Sequence, residues 1–210
     1  MAKVKDIESR LERLEQQLGV YQRVSRLMVR ELSLADTLRA IAKLVQEFTH
    51  GDSCLLYLID NDELVLCATN SPHAEFAGKG LVGKVRLRMD EGLTGWVARE
   101  RKLLAISSDA DKDPRFKRFS DLPEDYCEAF LSAPVIARNR VVGVINVHHR
   151  AAHRHSGAEM ELLTTIGEQV GCLLVLARMA PTAIEEANHV ELVMTHGHIA
   201  PRDADETGKG

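Results

Sequence analysis

A chain of 210 residues with 45% apolar side chains suits one domain with extensions and is too apolar to be disordered. Aromatics at 4% argue against a base-stacking platform for nucleic acid. The net charge of −4 lies wholly in Pro181 to Gly210, with its six acidic and two basic side chains, so the remainder has no broad basic field for nonspecific DNA or RNA binding.

The opening MAKVKDIESRLERLEQQ lacks an apolar signal core, and no run of about 18 apolar residues could span a bilayer. The expectation is a cytoplasmic protein with no membrane contact. Val4, Ile7, Leu11, Leu14, Leu18 and Tyr21 recur at alternating steps of three and four. That spacing draws one apolar stripe on a helix whose other faces are charged, and predicts a dimerisation coiled coil over residues 1–32. A second helix opens at Ser33, a suitable N-cap, and buries Leu34, Leu38, Ile41, Val45 and Phe48.

The period then becomes extended. SCLLYLID and ELVLCATN flank a short turn at Asp60-Asn61-Asp62 and predict a hairpin. GKGLVGKV, Gly78 to Val85, matches two nucleotide-binding fingerprints and misses a third, the P-loop, at Val85, but Gly83 leads into the alternating VGKVRLRM, a strand. A phosphate cradle needs its last glycine to open a helix, so the glycines are read as a turn. LTGWVARERK predicts a short helix, LLAISS a strand, and DADKDPRFKRFSDLPEDYCEA a long loop. FLSAPVIARNRVVGVINVHHR predicts a second hairpin turning at Asn139-Arg140, its last strand apolar on both sides and central in the sheet. Ser156 and Glu159 form a capping box for a long helix that Pro181 is expected to break. One face of that helix can cover the sheet. A second, Leu163, Ile166, Val170 and Leu173, is expected to be spare and, with Ile7, Leu11, Leu14 and Leu18, to form the dimer interface. Residues 181–210 are expected to be an acidic, flexible tail.

Within this order, Glu91-Gly92 with Gly95-Trp96-Val97-Ala98, then Asp113-Pro114-Arg115-Phe116, Ser132-Ala133-Pro134-Val135 and Gly143-Val144-Ile145-Asn146 resemble the motifs of a GAF domain over residues 33–180. The resemblance implies an α+β fold: a central antiparallel sheet of about six strands with N- and C-terminal helices on one face. It also implies that small ligands bind on the other face, beneath the long loop. Fold does not fix function. No Asn-Lys pair occurs, against the cyclic-nucleotide subset, and DYCEAF around Cys127 lacks the Cys-His pair of bilin-binding relatives.

The ligand-binding candidates are Asp113, Arg115, Phe116, Phe119, Tyr126 and Phe130, which gather charge and aromatic surface around one loop. Trp96 is read as a core anchor. The four cysteines, Cys54, Cys67, Cys127 and Cys172, are widely spaced and are read as reduced thiols, with no disulfide framework and no catalytic residue assigned. His148, His149, His153 and His155 are dense, but neighbours on a strand point to opposite faces, so at most one of the first two can join the others. With no acid or cysteine beside them they are read as surface histidines, with a transition-metal or haem site as the alternative, and no metal is assigned.

The expectation is therefore a non-enzymatic, homodimeric sensor. It would bind an unknown small molecule or cofactor and signal to a separate protein partner, since no kinase, cyclase or DNA-binding module follows in this sequence. Alternatives are a thiol enzyme of the methionine sulfoxide reductase type, a purely structural dimerisation module, and a remnant of a GAF–ANTAR regulator. The last rests on IEEANHVELVM, which resembles the opening helix of RNA-binding ANTAR modules; the acidic tail argues against nucleic acid.

Overall fold

A computed structural model describes residues 2–30, 32–70, 81–117 and 127–196. It divides into a unit from Met1 to Leu174 and a second from Val175 to Gly210. In chain order the elements are α1 (Ala2–Met28), α2 (Leu34–Thr49), β1 (Ser53–Asp60), β2 (Glu63–Thr69), β3 (Arg86–Arg88), α3 (Gly92–Glu100), β4 (Leu104–Ile106), a 3-10 turn at Ala110–Lys112, β5 (Ala129–Ala137), β6 (Arg140–His149) and α4 (Gly157–His196).

The strands form one six-stranded antiparallel sheet in the order β3-β2-β1-β6-β5-β4. β6 sits between β1 and β5, which is why both its faces are apolar. Both hairpins turn through two residues of positive φ, Asn61-Asp62 and Arg138-Asn139, the geometry that matches strand twist. The second turn therefore falls one residue earlier than expected. The strand expected from Val82 is shorter too. Val82 to Lys84 form a turn around Gly83 at φ +80°; the regular ladder with β2 is limited to Arg86–Arg88, and Gly83 N–H and the Val85 carbonyl add backbone hydrogen bonds to Leu66. Gly83 opens no helix; Gly78 and Gly80 lie outside the described residues.

Strand alternation divides the core in two. Leu131, Ala133 and Val135 of β5, with Ile145 and Val147 of β6, join Leu38, Ile41 and Val45 of α2 and Leu162, Leu163, Ile166 and Val170 of α4. Each fully buried Leu, Ile or Val there contributes about 1.5–3 kcal/mol of transfer free energy. The opposite face carries a second cluster, including Leu55, Tyr57, Leu66, Val144 and Val97 of α3.

Leu163, Ile166 and Val170 are each 0% exposed within this core. The expectation that they form a spare dimerisation face does not hold, because α4 presses that side onto β5 and β6; Leu173 is only partly buried against the same cluster. Gly167 and Gly171 bring the helix within touching distance of the β5 backbone. α4 also runs through Pro181 to His196. Proline removes one hydrogen bond from a helix, and the Ala- and Glu-rich stretch around it favours helix on both sides. Gly157–Ala177, mean hydropathy 1.4, is long and apolar enough to cross a membrane, but its apolar side chains Leu162, Leu163, Ile166 and Val170 are spent on the core.

The lower half of α1 belongs to the same unit: Val20 and Val24 are buried beside α2, and the Tyr21 hydroxyl lies 3.4 Å from Thr165 Oγ1 of α4. Ile7, Leu11, Leu14 and Leu18 are left 53–65% exposed. The predicted caps form. Ser33 Oγ accepts from Asp36 N–H at 3.1 Å, and Ser156 and Glu159 bond reciprocally, Ser156 N–H to Glu159 Oε2 at 2.6 Å and Glu159 N–H to Ser156 Oγ at 3.2 Å.

A candidate ligand site between the sheet and helix α3

The site begins with three polar residues in otherwise apolar elements. Ser132 of β5 and Asn146 of β6 are register partners, so both side chains leave the sheet on the face away from α2 and α4. The Ser132 hydroxyl donates to Asn146 Oδ1 at 2.7 Å, and Asn146 Nδ2 donates to Thr94 Oγ1 of α3 at 2.8 Å. Ser132 is 0% and Asn146 2% exposed, where an unpaired polar group would be costly. Gly92, at φ +68°, lets the chain turn into α3, and Gly95 packs against the Arg88 and Met89 carbonyls. These two positions bring Thr94 down to the sheet.

Above this chain of hydrogen bonds lies a cavity of about 30 Å³, walled by Tyr57, Leu87, Leu93, Phe116 and Phe130, with Thr94, Asn146, His148 and Lys117 as its polar members. No carboxylate is among its lining residues within the described part of the chain. The Phe130 and His148 rings meet at 5.3 Å. The segment over the cavity is held by charge: Lys117 Nζ reaches Glu91 Oε2 at 2.8 Å. The Lys117 hydrogen bond, with the Arg88 backbone N–H, keeps the Glu91 carboxyl below its usual range.

Of the six candidates, Phe116 and Phe130 line the cavity. Asp113 and Arg115 do not; they engage each other. Arg115 donates from Nε to Asp113 Oδ1 at 2.9 Å and from NH2 to Oδ2 at 2.7 Å, and its guanidinium lies 4.7 Å over the Trp96 ring. That arrangement fastens the loop to α3 rather than presenting a free cation. Phe119 and Tyr126 lie outside the described residues. Sequence reading missed Tyr57, Thr94, Ser132 and Asn146. The usable signal was an asparagine inside VGVINV, a polar residue in a strand buried on both faces. A larger groove, about 370 Å³, runs between α1 and α2 beside Arg23, Arg26, Arg30 and Lys43. Those side chains are all exposed, so the groove lacks the buried polar groups that orient a small ligand.

No cysteine lines the cavity. Burial drives the Cys54 thiol far above its ordinary range and raises Cys67. Cys127 is buried, its Sγ 2.9 Å from the Ala129 carbonyl oxygen, and Cys172 is exposed on α4.

The histidines separate as alternation requires. His148 lines the cavity, while His149 turns to the other side and gathers with His153 and His155. His149 and His155 are 5% and 8% exposed, so the reading of surface histidines is corrected. An acid does stand beside them: Glu159 Oε1 is 2.7 Å from His153 Nε2, brought there by the first turn of α4 rather than by sequence adjacency. Burial, then the neighbouring His153 and His155, push His149 down to about 4; burial, then His153, also lower His155. The His149 ring is therefore neutral near pH 7. Burial pushes Glu159 up, but hydrogen bonds from Ser156 and His153 outweigh it and hold the carboxyl below its usual range.

The family model of the GAF domain matches residues 33–174. Among curated proteins, the chain is similar to the phosphoenolpyruvate-dependent phosphotransferase system proteins of Escherichia coli and Salmonella typhimurium, 32% identical to each over 123 residues. That stretch is 58% of this chain and 16% of the relatives, so the chain spans only a small part of their length. The GAF domain of an Acinetobacter phosphoenolpyruvate-protein phosphotransferase superposes with a TM-score of 0.66 at 26% identity, covering 79% of this chain and 97% of that one. The corresponding Coxiella burnetii domain gives 0.72 at 22% identity, covering 80% and 98%. A free methionine-R-sulfoxide reductase from Neisseria meningitidis, solved with its substrate, gives 0.64 at 16% identity over 78% and 91%, a likeness of fold alone.

Proposed function

Because the chain belongs to the GAF domain family, we propose that it is a regulatory module without catalytic activity, which binds a small acceptor-rich molecule between the sheet and α3. The observation that carries this reading is the Ser132–Asn146–Thr94 chain buried at an apolar cavity. Three buried polar side chains are an expensive way to fill a core unless they orient something. Thr94 accepts from Asn146 and keeps its own O–H to donate. His148 and Lys117 add polar groups at the same cavity, and its described lining residues include no carboxylate, which favours a ligand with carbonyl or carboxylate oxygens. The cavity holds about one water as it stands. Entry of a metabolite therefore moves Phe116 and Lys117 and opens the Lys117–Glu91 contact.

A thiol reductase would need an accessible, activated sulfur at the cavity. None of the four cysteines is among its lining residues, which favours the regulatory reading over the enzyme. The similarity to the GAF domain of a phosphoenolpyruvate-protein phosphotransferase supports the same reading, and the proposal includes a cytoplasmic setting and a separate protein partner that receives the signal.

The test is native mass spectrometry and an absorption spectrum of the protein as purified, followed by a thermal-shift screen of small mono- and dicarboxylates. A carboxylate that raises Tm in the wild type and not in Asn146→Leu supports the reading. No shift with any carboxylate, together with an empty mass spectrum, favours a purely structural dimerisation module.

The exposed stripe Ile7, Leu11, Leu14, Leu18 is proposed to pair with a second copy as a coiled coil. Light scattering at micromolar concentration should give a dimer, and Leu11→Glu with Leu14→Glu should convert it to a monomer without loss of the α+β far-UV signal. A wild-type monomer would end the proposal.

A further inference from the structure

We propose that His149, His153 and His155 form a binding site for a first-row divalent transition metal of the zinc class. The site is separate from the ligand cavity and does not depend on it, since alternation along β6 sends His148 to one face and His149 to the other.

Three rings converge. His149 and His153 stack with centroids 4.0 Å apart, and His155 stands 4.9 Å from His153 and 5.3 Å from His149. Each ring can offer one nitrogen such that all three atoms lie within 4.8 Å of one another.

The hydrogen bonds decide which nitrogens are free. His155 Nε2 lies 3.2 Å from the Ile106 carbonyl oxygen. A carbonyl only accepts, so Nε2 carries the proton and Nδ1 the lone pair. His155 Nδ1 is buried with no hydrogen-bond partner among the described residues. His149 Nε2 is in the same position. His153 Nε2 faces the Glu159 carboxylate at 2.7 Å, which fixes the proton on Nε2 and leaves Nδ1 for an ion. Carboxylate and backbone carbonyl behind ligating imidazoles are the usual second layer of a metal centre. Buried nitrogens without partners are rare in folded proteins, and a cation on those lone pairs removes the deficit.

The chemistry selects the metal. Neutral imidazoles suit zinc, cobalt, nickel or copper, and neither magnesium nor calcium, which need oxygen. Nitrogens at zinc sites stand about 2.0–2.1 Å from the ion, hence roughly 3.4 Å from each other. The rings must therefore close on the ion. His153, on the loop between β6 and α4 and only partly buried, has the freedom to turn. Such an ion would tie the end of β6 to the end of β4, through the His155–Ile106 contact and the His153 N–H bond to the Ser107 carbonyl, and to the first turn of α4 through Glu159. The fourth coordination position is left to solvent or an added ligand.

The test uses the untagged full chain, stripped with a chelator and titrated with Co(II), then Zn(II). One Co(II) per chain, with visible d–d absorption lost on adding Zn(II) and a higher Tm, is expected. His153→Ala should weaken binding by at least a hundredfold, and Glu159→Gln, which keeps the capping box but not the charge, by about 10–100-fold. His153→Gln serves if the alanine variant does not fold. These variants also separate the site from the tail histidines His196 and His198. Failure to bind either ion at roughly 100 μM, a loss below about tenfold in His153→Ala or His153→Gln, or equal binding of Mg(II) would overturn the proposal.

Discussion

Gly171→Ala is expected to destabilise the chain by about 2 kcal/mol, and Gly167→Ala with Gly171→Ala together by about 3–5 kcal/mol. A β-carbon on Gly171 would meet the Ile136 carbonyl oxygen inside any normal contact distance, and one on Gly167 would stand 2.6 Å from the Pro134 carbonyl oxygen. Both obstacles are backbone in β5, so no side chain can swing away. α4 must lift from the sheet, and Leu162, Leu163, Ile166 and Val170 lose part of their burial with it. Helix propensity acts the other way, since alanine is better than glycine by about 1 kcal/mol in a helix interior. The steric term is larger, so the net sign is destabilising. Gly19→Ala supplies the control: nothing lies within 4 Å of its β-carbon, and propensity alone should stabilise by up to about 1 kcal/mol. At about 2–4 °C per kcal/mol for a chain of this size, the double variant should melt roughly 6–20 °C lower. Calorimetry showing Gly171→Ala as stable as Gly19→Ala would mean that the helix does not lie this close to the sheet.

Asn146→Leu is expected to cost about 2–4 kcal/mol, because it strands the buried Ser132 hydroxyl and removes a donor from Thr94 while keeping the branched side-chain shape with bulkier methyl ends. Replacing all three members, Thr94→Val with Ser132→Ala and Asn146→Leu, leaves no unpaired group and should recover most of that stability. The comparison matters for function. If the polar chain orients a metabolite, the triple variant is stable in urea yet no longer gains Tm from the carboxylate that protects the wild type. If it only holds α3 to the sheet, the triple variant keeps the ligand response. Urea midpoints and ligand-dependent melting curves, measured on all three proteins, separate these outcomes.

Much of the architecture was legible in the residues. Alternation in SCLLYLID, ELVLCATN and FLSAPVIARNRVVGVINVHHR encodes strands because side-chain direction has a period of two, and Ser33 and Ser156 mark helix starts because orphan N–H groups need an acceptor. The errors have physical causes. VGKVRLRM alternates over its whole length, but the chain turns at Gly83, so only Arg86–Arg88 forms a regular ladder with β2. Leu163, Ile166 and Val170 read as a second apolar face, because periodicity reports that a helix is apolar around its circumference and not which sector meets the sheet. Gly167 and Gly171 settle that sector, since only their side allows close approach to β5.

The candidate sites were less legible than the fold. Aromatic and charged residues around one loop drew attention to Asp113 and Arg115, whose charges turn out to satisfy each other. The polar chain that matters is assembled from α3, β5 and β6, and the histidine cluster from β6, a loop and the first turn of α4. By itself the sequence determined the order of elements, the caps, the exposed stripe on α1 and the opposite facing of His148 and His149, since each follows from local periodicity and hydrogen-bond demand. Only the tertiary structure decided which buried polar groups meet. Asn146 touches Thr94 and His153 touches Glu159 through register, helix approach and chain reversal, and those depend on packing among segments distant along the chain. GKGLVGKV resolves the same way: Gly83 turns the chain toward β3 and begins no helix, so the glycine that would close a phosphate loop leads into the sheet instead.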